Sequence, residues 1–172
     1  MIESLGLGVT DLLIGAALLT VSIIDMRSRR IPNVIVFPLA AVALVHHFIA
    51  GSIGMSLVGF GVATAMHFPL WLLNVEKAGD AKLFMCLGLW WGPPGVVEAS
   101  AWFAVVYLPI ALVMILVKGK AGNLPKVFRY QWATMRGKDG GEKPEVTLLA
   151  TAPIIAIAAV IARVTDWLDV LG

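Results

Sequence analysis

Two aspartates stand where a long apolar run gives way to a short stretch with basic neighbours: Asp25 in Asp25-Met-Arg-Ser-Arg-Arg-Ile-Pro-Asn33, and Asp80 in Lys77-Ala-Gly-Asp-Ala-Lys82. A carboxylate near lipid is expensive, so a pair at matching depths points to function. Two carboxylates close together cannot both ionise cheaply and share a proton. One then takes a proton from water while the other protonates a carbonyl oxygen. That is peptide-bond hydrolysis with neither metal nor covalent nucleophile. The sequence holds no His-Glu-x-x-His zinc motif, no Gly-x-Ser-x-Gly elbow and no phosphate-binding Gly-rich loop. In the competing structural reading, Asp25 ends its helix in a salt bridge to Arg27 or Arg29 and Asp80 caps the next helix.

The elements that must position these groups are set by composition. Of 172 residues, 59% are hydrophobic and 14% charged, and the mean hydropathy is +0.90, which describes an all-α integral membrane protein. The length supplies about six spans of roughly 20 residues, hence one membrane-embedded domain over 1–172. The first span runs from about Leu5 to Ile24 and ends at Asp25; the basic residues follow it, unlike those of a cleaved signal peptide. The second covers Val34 to Ala50, with Pro32 near its start, and Gly51 and Gly54 mark a tight turn. The third, Ile53 to Asn74, is rich in Gly, Ala and Ser, which permit close helix contacts. A short fourth span, Leu83 to Trp91, meets Gly92-Pro93-Pro94-Gly95, which must interrupt any helix. A fifth reaches about Val117. Residues 118–145 read as a polar loop with one short amphipathic helix around Leu124 to Met135, and a last span runs from Val146 to about Ala162.

Twelve of the thirteen Lys and Arg residues fall after spans one, three and five, and Arg163 alone falls on the other side. The positive-inside rule then places both termini outside and both aspartates at the cytoplasmic face. Residues 83–91 cover only about half of a roughly 30 Å hydrocarbon core. A re-entrant segment would carry the basic 118–145 loop to the wrong side, so a short crossing shielded by the other helices is expected. That loop holds seven cations against Asp139, Glu142 and Glu145 and suits an anionic leaflet. No nucleic-acid partner is implied.

The two motif strings, the second continuing into Leu-Gly-Leu-Trp-Trp-Gly-Pro, resemble the paired signatures of type IV prepilin peptidases, the membrane aspartic proteases of the Gly-x-Gly-Asp group. The resemblance covers about residues 10–117. It implies that Asp25 and Asp80 are catalytic, with Arg30, Ile31, Pro32, Asn33, Lys77, Ala78, Gly79 and Lys82 supporting the site. It also implies removal of a short basic leader from a prepilin at the cytoplasmic side of the inner membrane, after a glycine and before a hydrophobic helix. The short chain, without a Cys-rich insert, resembles the single-domain form serving Flp/Tad-type pili, so cleavage without N-methylation is expected. No metal or organic cofactor follows from this chemistry; the partners are the prepilin, the bilayer, and pilus or secretion machinery. Lys77 departs from the family, standing where the first glycine of Gly-x-Gly-Asp belongs. An ammonium there opposes proton sharing unless it turns out to water. A weakened homologue acting as an assembly partner, a peptidase for preflagellin-like substrates and a proton-coupled transporter are the rival readings; the transporter is disfavoured by the absence of internal repeats.

The remaining polar residues read as structural. Arg27, Arg29 and Arg30 anchor topology. Asp11 pairs within the bundle or at the interface, and Glu76 lies where it would meet a basic leader. His46, His47 and His67 have no carboxylate or Cys at metal spacing. The six tryptophans are interfacial or packing residues, and Cys86 is a small buried hydrophobe.

Overall fold

The computed structural model describes residues 8–73, 75–117, 126, 129–130, 132–133, 136 and 150–165. Among these residues the regular elements are all helices, without strands. In order they form α1 (Val9–Ser28), α2 (Asn33–Ile49), α3 (Ile53–Leu72), a kinked α4 (Ala78–Val117) and α5 (Ala152–Thr165). Three helices are long and apolar enough to cross a membrane, namely α1, α3 and the stretch Ala78–Met114 of α4, while α2 and α5 are shorter apolar helices. The expected helix near residues 124–135 is represented by helical residues 126, 129, 130, 132 and 133. The rest of that segment, the start of span one at residues 5–7, Asn74 and the 146–149 stretch lie outside the described residues.

The outside of the bundle is apolar and much of its polarity is inside. Leu19, Val45, Phe48, Leu108 and Val160 are exposed, whereas Ser22, Asp25, Ser56, His67, Asp80, Glu98, Ser100 and Thr151 are buried. Such an inversion is tolerable only where lipid takes the place of water.

The fourth helix is two arms. Gly92, at φ 68° and ψ −168°, breaks it, and a side chain would be strained at that φ. The chain then folds back. Phe84 and Phe103 lie 5.3 Å apart, although 19 residues of straight helix would separate them by about 28 Å. His67 likewise touches both Phe84 and Ser100. The interruption expected over 92–95 is thus confined to one residue. Pro93, Pro94 and Gly95 are helical, because proline fits the first turn of the new arm, where its missing N–H is no loss. The first arm, 78–91, is about 21 Å long and is buried on nearly every side, shielded by its neighbours as its shortness required.

The fold-back frees two carbonyls. Leu89 O and Trp90 O would ordinarily accept from residues 93 and 94, both of them prolines. Ser56 Oγ donates instead to Leu89 O at 2.7 Å, and His47 Nε2 donates to Trp90 O at 3.1 Å while its Nδ1 meets Ser52 Oγ at 2.8 Å. No lipid group can replace these donors, which gives His47 a structural role. His46 packs against the Trp90 ring.

On α3, Ser56, Gly59, Ala63 and His67 form one buried stripe, small enough for the first arm to press backbone against backbone. A methyl at Gly59 would overlap Gly88 O and Gly92 Cα. A methyl at Gly61, two residues away on the same helix, would meet nothing within 4 Å. Gly59→Ala is therefore expected to destabilise the protein by about 2 kcal/mol or more, and Gly61→Ala to be neutral or stabilising by about 0.5–1 kcal/mol. Thermal unfolding of both variants in one detergent checks this; equal stability would rule out the close crossing.

Candidate active site

Helical periodicity carries Asp25 into the bundle. Ile14, Leu18, Val21 and Asp25 follow one another at steps of four, three and four, so the stripe that packs the core ends in the carboxylate, which is 0% exposed. The expected stop at Asp25 is corrected: α1 continues to Ser28, because nothing before Ile31-Pro32 breaks it. Arg29 then closes the helix in a left-handed conformation, φ 53°, and its N–H donates to Asp25 O at 2.7 Å. Pro32, at φ −75°, is the N-cap of α2.

Asp80 is the third residue of α4, its N–H donating to Lys77 O at 3.1 Å, and the residue is 2% exposed. Neither aspartate follows the structural reading of the sequence. Arg27, Arg29 and Arg30 are exposed, and Asp80 is the third residue of its helix and not its N-cap. Both carboxylates go to the start of α5: Thr151 Oγ1 donates to Asp80 Oδ1 at 2.6 Å, and Ala152 N–H donates to Asp25 Oδ2 at 3.0 Å. Four covalent bonds separate those two donor atoms, so the carboxylate oxygens lie within about 10 Å of each other. Asp25 Oδ1 is buried with no hydrogen-bond partner among the described residues.

The two motif segments meet beside this pair. A Cβ on Gly79 would come within 2.9 Å of Ile31 Cβ, so glycine there lets the α1–α2 turn seat against the start of α4. Lys82 Nζ donates to Asn33 Oδ1 at 3.3 Å and lies 5.5 Å from the Phe37 ring centroid. Of the other residues singled out in the sequence, Lys77 is half-buried, while Arg30 and Ala78 are exposed. Among the described residues, no three of His, Cys, Asp and Glu are grouped to hold a metal ion.

Glu76 does not wait for a basic leader. Its carboxylate meets His67 Nδ1 at 2.9 and 3.1 Å, and His67 Nε2 meets Ser100 Oγ at 2.9 Å. The Ser100 hydroxyl donates to Val96 O at 2.6 Å, so its oxygen accepts from Nε2–H. Nδ1 meets the carboxylate, so both ring nitrogens of His67 are engaged. The ring also stacks on Phe84 at 3.9 Å and 6°. His67 thus grips the chain four residues before and four residues after Asp80. Its carboxylate partner, nine residues away across a helix end, was hidden by a search for metal spacing.

At the opposite end Arg163 Nε donates to Asp11 Oδ1 at 2.9 Å. A cavity of about 290 Å³ lies there among Trp90, Trp91, Glu98 and Arg163, and Cys86 is buried as expected.

The sequence reading passed over Thr151 and Ala152. It began the last helix at Val146, whereas Ala150 and Thr151 are non-helical and α5 starts at Ala152. The overlooked signal was Thr151-Ala-Pro153: a capping residue followed by a proline that a helix interior would exclude.

His67→Leu is expected to leave Glu76 buried without its partner and to destabilise the protein by about 3 kcal/mol. Pairing it with Glu76→Leu should recover much of that loss, as a double-mutant cycle of melting curves would show; additive losses would mean the two groups do not interact.

Searches of curated proteins and of solved structures returned no match. The type IV leader peptidase family matches residues 12–119, a segment that contains both aspartates, both motif strings and the fold-back at Gly92, and that stops short of α5. This match spans more than half of a chain that has helices long and apolar enough for a membrane, and the chain belongs to the type IV leader peptidase family.

Proposed function

We propose that the protein is an aspartic endopeptidase that removes the short basic leader from type IV prepilins of the Flp/Tad kind, with Asp25 and Asp80 as the reacting pair. The observation that carries this reading is the joining of the two buried carboxylates through consecutive residues, Thr151 and Ala152. In the proposed reaction Asp25 Oδ1, the oxygen without a partner among the described residues, takes a proton from water. The resulting hydroxide attacks the scissile carbonyl carbon, and Asp80 protonates the carbonyl oxygen. The tetrahedral intermediate then collapses: the C–N bond breaks, the leaving amine takes the proton held by Asp25, and one hydroxyl of the diol returns a proton to Asp80. Cleavage falls after a glycine and before the substrate's hydrophobic helix, which enters from lipid while the leader stays in the cytosol.

In this reading α1, α2, α3, the two arms of α4 and α5 make six crossings of the inner membrane in a single domain, with the aspartate end facing the cytoplasm. Arg27, Arg29, Arg30, Lys77 and Lys82 gather at that end. The fold at Gly92 returns the second arm alongside the first, where Phe103 meets Phe84 and stacks on Tyr107. Cleavage proceeds without N-methylation. Lys77, a cation three residues before Asp80, favours one second reading, that of a weakened homologue serving as an assembly partner.

Co-expression with a prepilin from the same genome, followed by gel and mass analysis of the precursor, tests the assignment. Asp25→Asn and Asp80→Asn are each expected to reduce cleavage by at least about a thousandfold, with Lys77→Gly within about threefold of the unmodified chain. Cleavage that survives either Asn substitution would refute the aspartic mechanism. Cleavage seen only in Lys77→Gly would favour the assembly-partner reading.

A further inference from the structure

The family match ends at residue 119, yet the hydrogen bonds to both carboxylates come from residues 151 and 152. We propose that the N-terminus of α5 is part of the active centre, with Thr151 and Ala152 as positioning residues that set the spacing and orientation of Asp25 and Asp80. This rests on the reading of the two aspartates as the reacting pair.

The local chemistry of the helix start assigns each donor. The first four N–H groups of a helix have no carbonyl within the helix to meet. Pro153 brings no N–H of its own, and Ile154 and Ile155 donate to Thr151 O at 3.0 and 2.9 Å. That leaves the buried Ala152 N–H to find an acceptor outside the helix, and it finds Asp25. Thr151 occupies the capping position, where a hydroxyl ordinarily accepts from the first turn. Here the O–H is directed at Asp80 instead, and the residue is 5% exposed. Because the donors belong to adjacent residues, a shift of the helix start carries both of them together.

The helix that carries them is seated firmly. Ala152, Ile155, Ala159 and Ala162 are buried on one face, and the small alanines bring α5 close to α1 and α4. At its far end Arg163 grips Asp11 through Nε at 2.9 Å and Nη2 at 3.4 Å. Helix α5 is therefore bonded to α1 near both ends, at Asp25 and at Asp11, which locks the two helices in register. A one-residue slip of α5 would carry both donors about 1.5 Å along the axis, enough to break hydrogen bonds of this length.

The test uses the full chain in detergent, a prepilin from the same genome as substrate, and dicyclohexylcarbodiimide, a carboxyl reagent soluble in apolar interiors, as a second probe. Thr151→Val should lower kcat about tenfold with KM within about twofold, and Thr151→Ser should restore it. Ala152→Pro removes one N–H at a helix position that accepts proline and should lower kcat to a similar degree. With the Thr151 hydroxyl gone, mass spectrometry should find about threefold more carbodiimide adduct on Asp80 and no change on Asp25; Ala152→Pro should give the reverse. Thr151→Val and Ala152→Pro chains that cleave and label like the unmodified protein would overturn the proposal. Should the unmodified chain cut no prepilin, the peptidase reading falls, and labelling still decides on the clamp: unchanged adduct levels in both variants would overturn it.

Discussion

A carboxylate withdrawn from water must be met by hydrogen-bond donors, and this bundle withdraws two of them to the same place. The core stripe of α1 ends in a buried Asp25, and the first arm of α4, buried on almost every side, begins with a buried Asp80. Arg27, Arg29 and Arg30, a few residues past Asp25, are exposed. The donors come instead from the start of one helix, supplied by a hydroxyl and by a backbone N–H that the helix itself cannot use. Helix α5 has to reach the centre of the bundle to do this, and its run of alanines is what allows it.

The same demand governs the far end of the first arm. Folding α4 back at Gly92 shortens the central helix and brings the second arm beside it, but the two prolines that restart the helix strand the carbonyls of Leu89 and Trp90. Ser56 and His47 meet them. Between the two ends His67 joins α3, the approach to Asp80 and the second arm through Glu76, Phe84 and Ser100. Each of these interior polar residues answers a donor or acceptor that lipid cannot satisfy, which is why so apolar a chain keeps them.

The aspartate pair and most helix limits were legible in the sequence because they depend on local signals: apolar runs, charge at their ends, and proline or glycine at the turns. Span two was expected over 34–50 and is Asn33–Ile49, and the end of span five near Val117 holds. Errors arose where a side chain's partner lies far along the chain. Asp25 looked like a helix stop because its partner, Ala152, is 127 residues away. Glu76 was read as facing a basic leader although its histidine lies nine residues back on α3, and Val146 seemed to begin the last span because hydropathy alone cannot see that Pro153 and Thr151 set the start. Asp11, placed away from the aspartate pair and expected to find a partner in the bundle, has one in Arg163.

Where the carboxylate donors lie along the chain also gives the site an order in time. A polypeptide is made from its N-terminus, so Asp25 and Asp80 enter the membrane well before residues 151 and 152 have been polymerised. Until then the two acids lack the donors that α5 supplies. Helix α5 is made after both acids, so a chain that stops short of residue 151 lacks the donors that meet them.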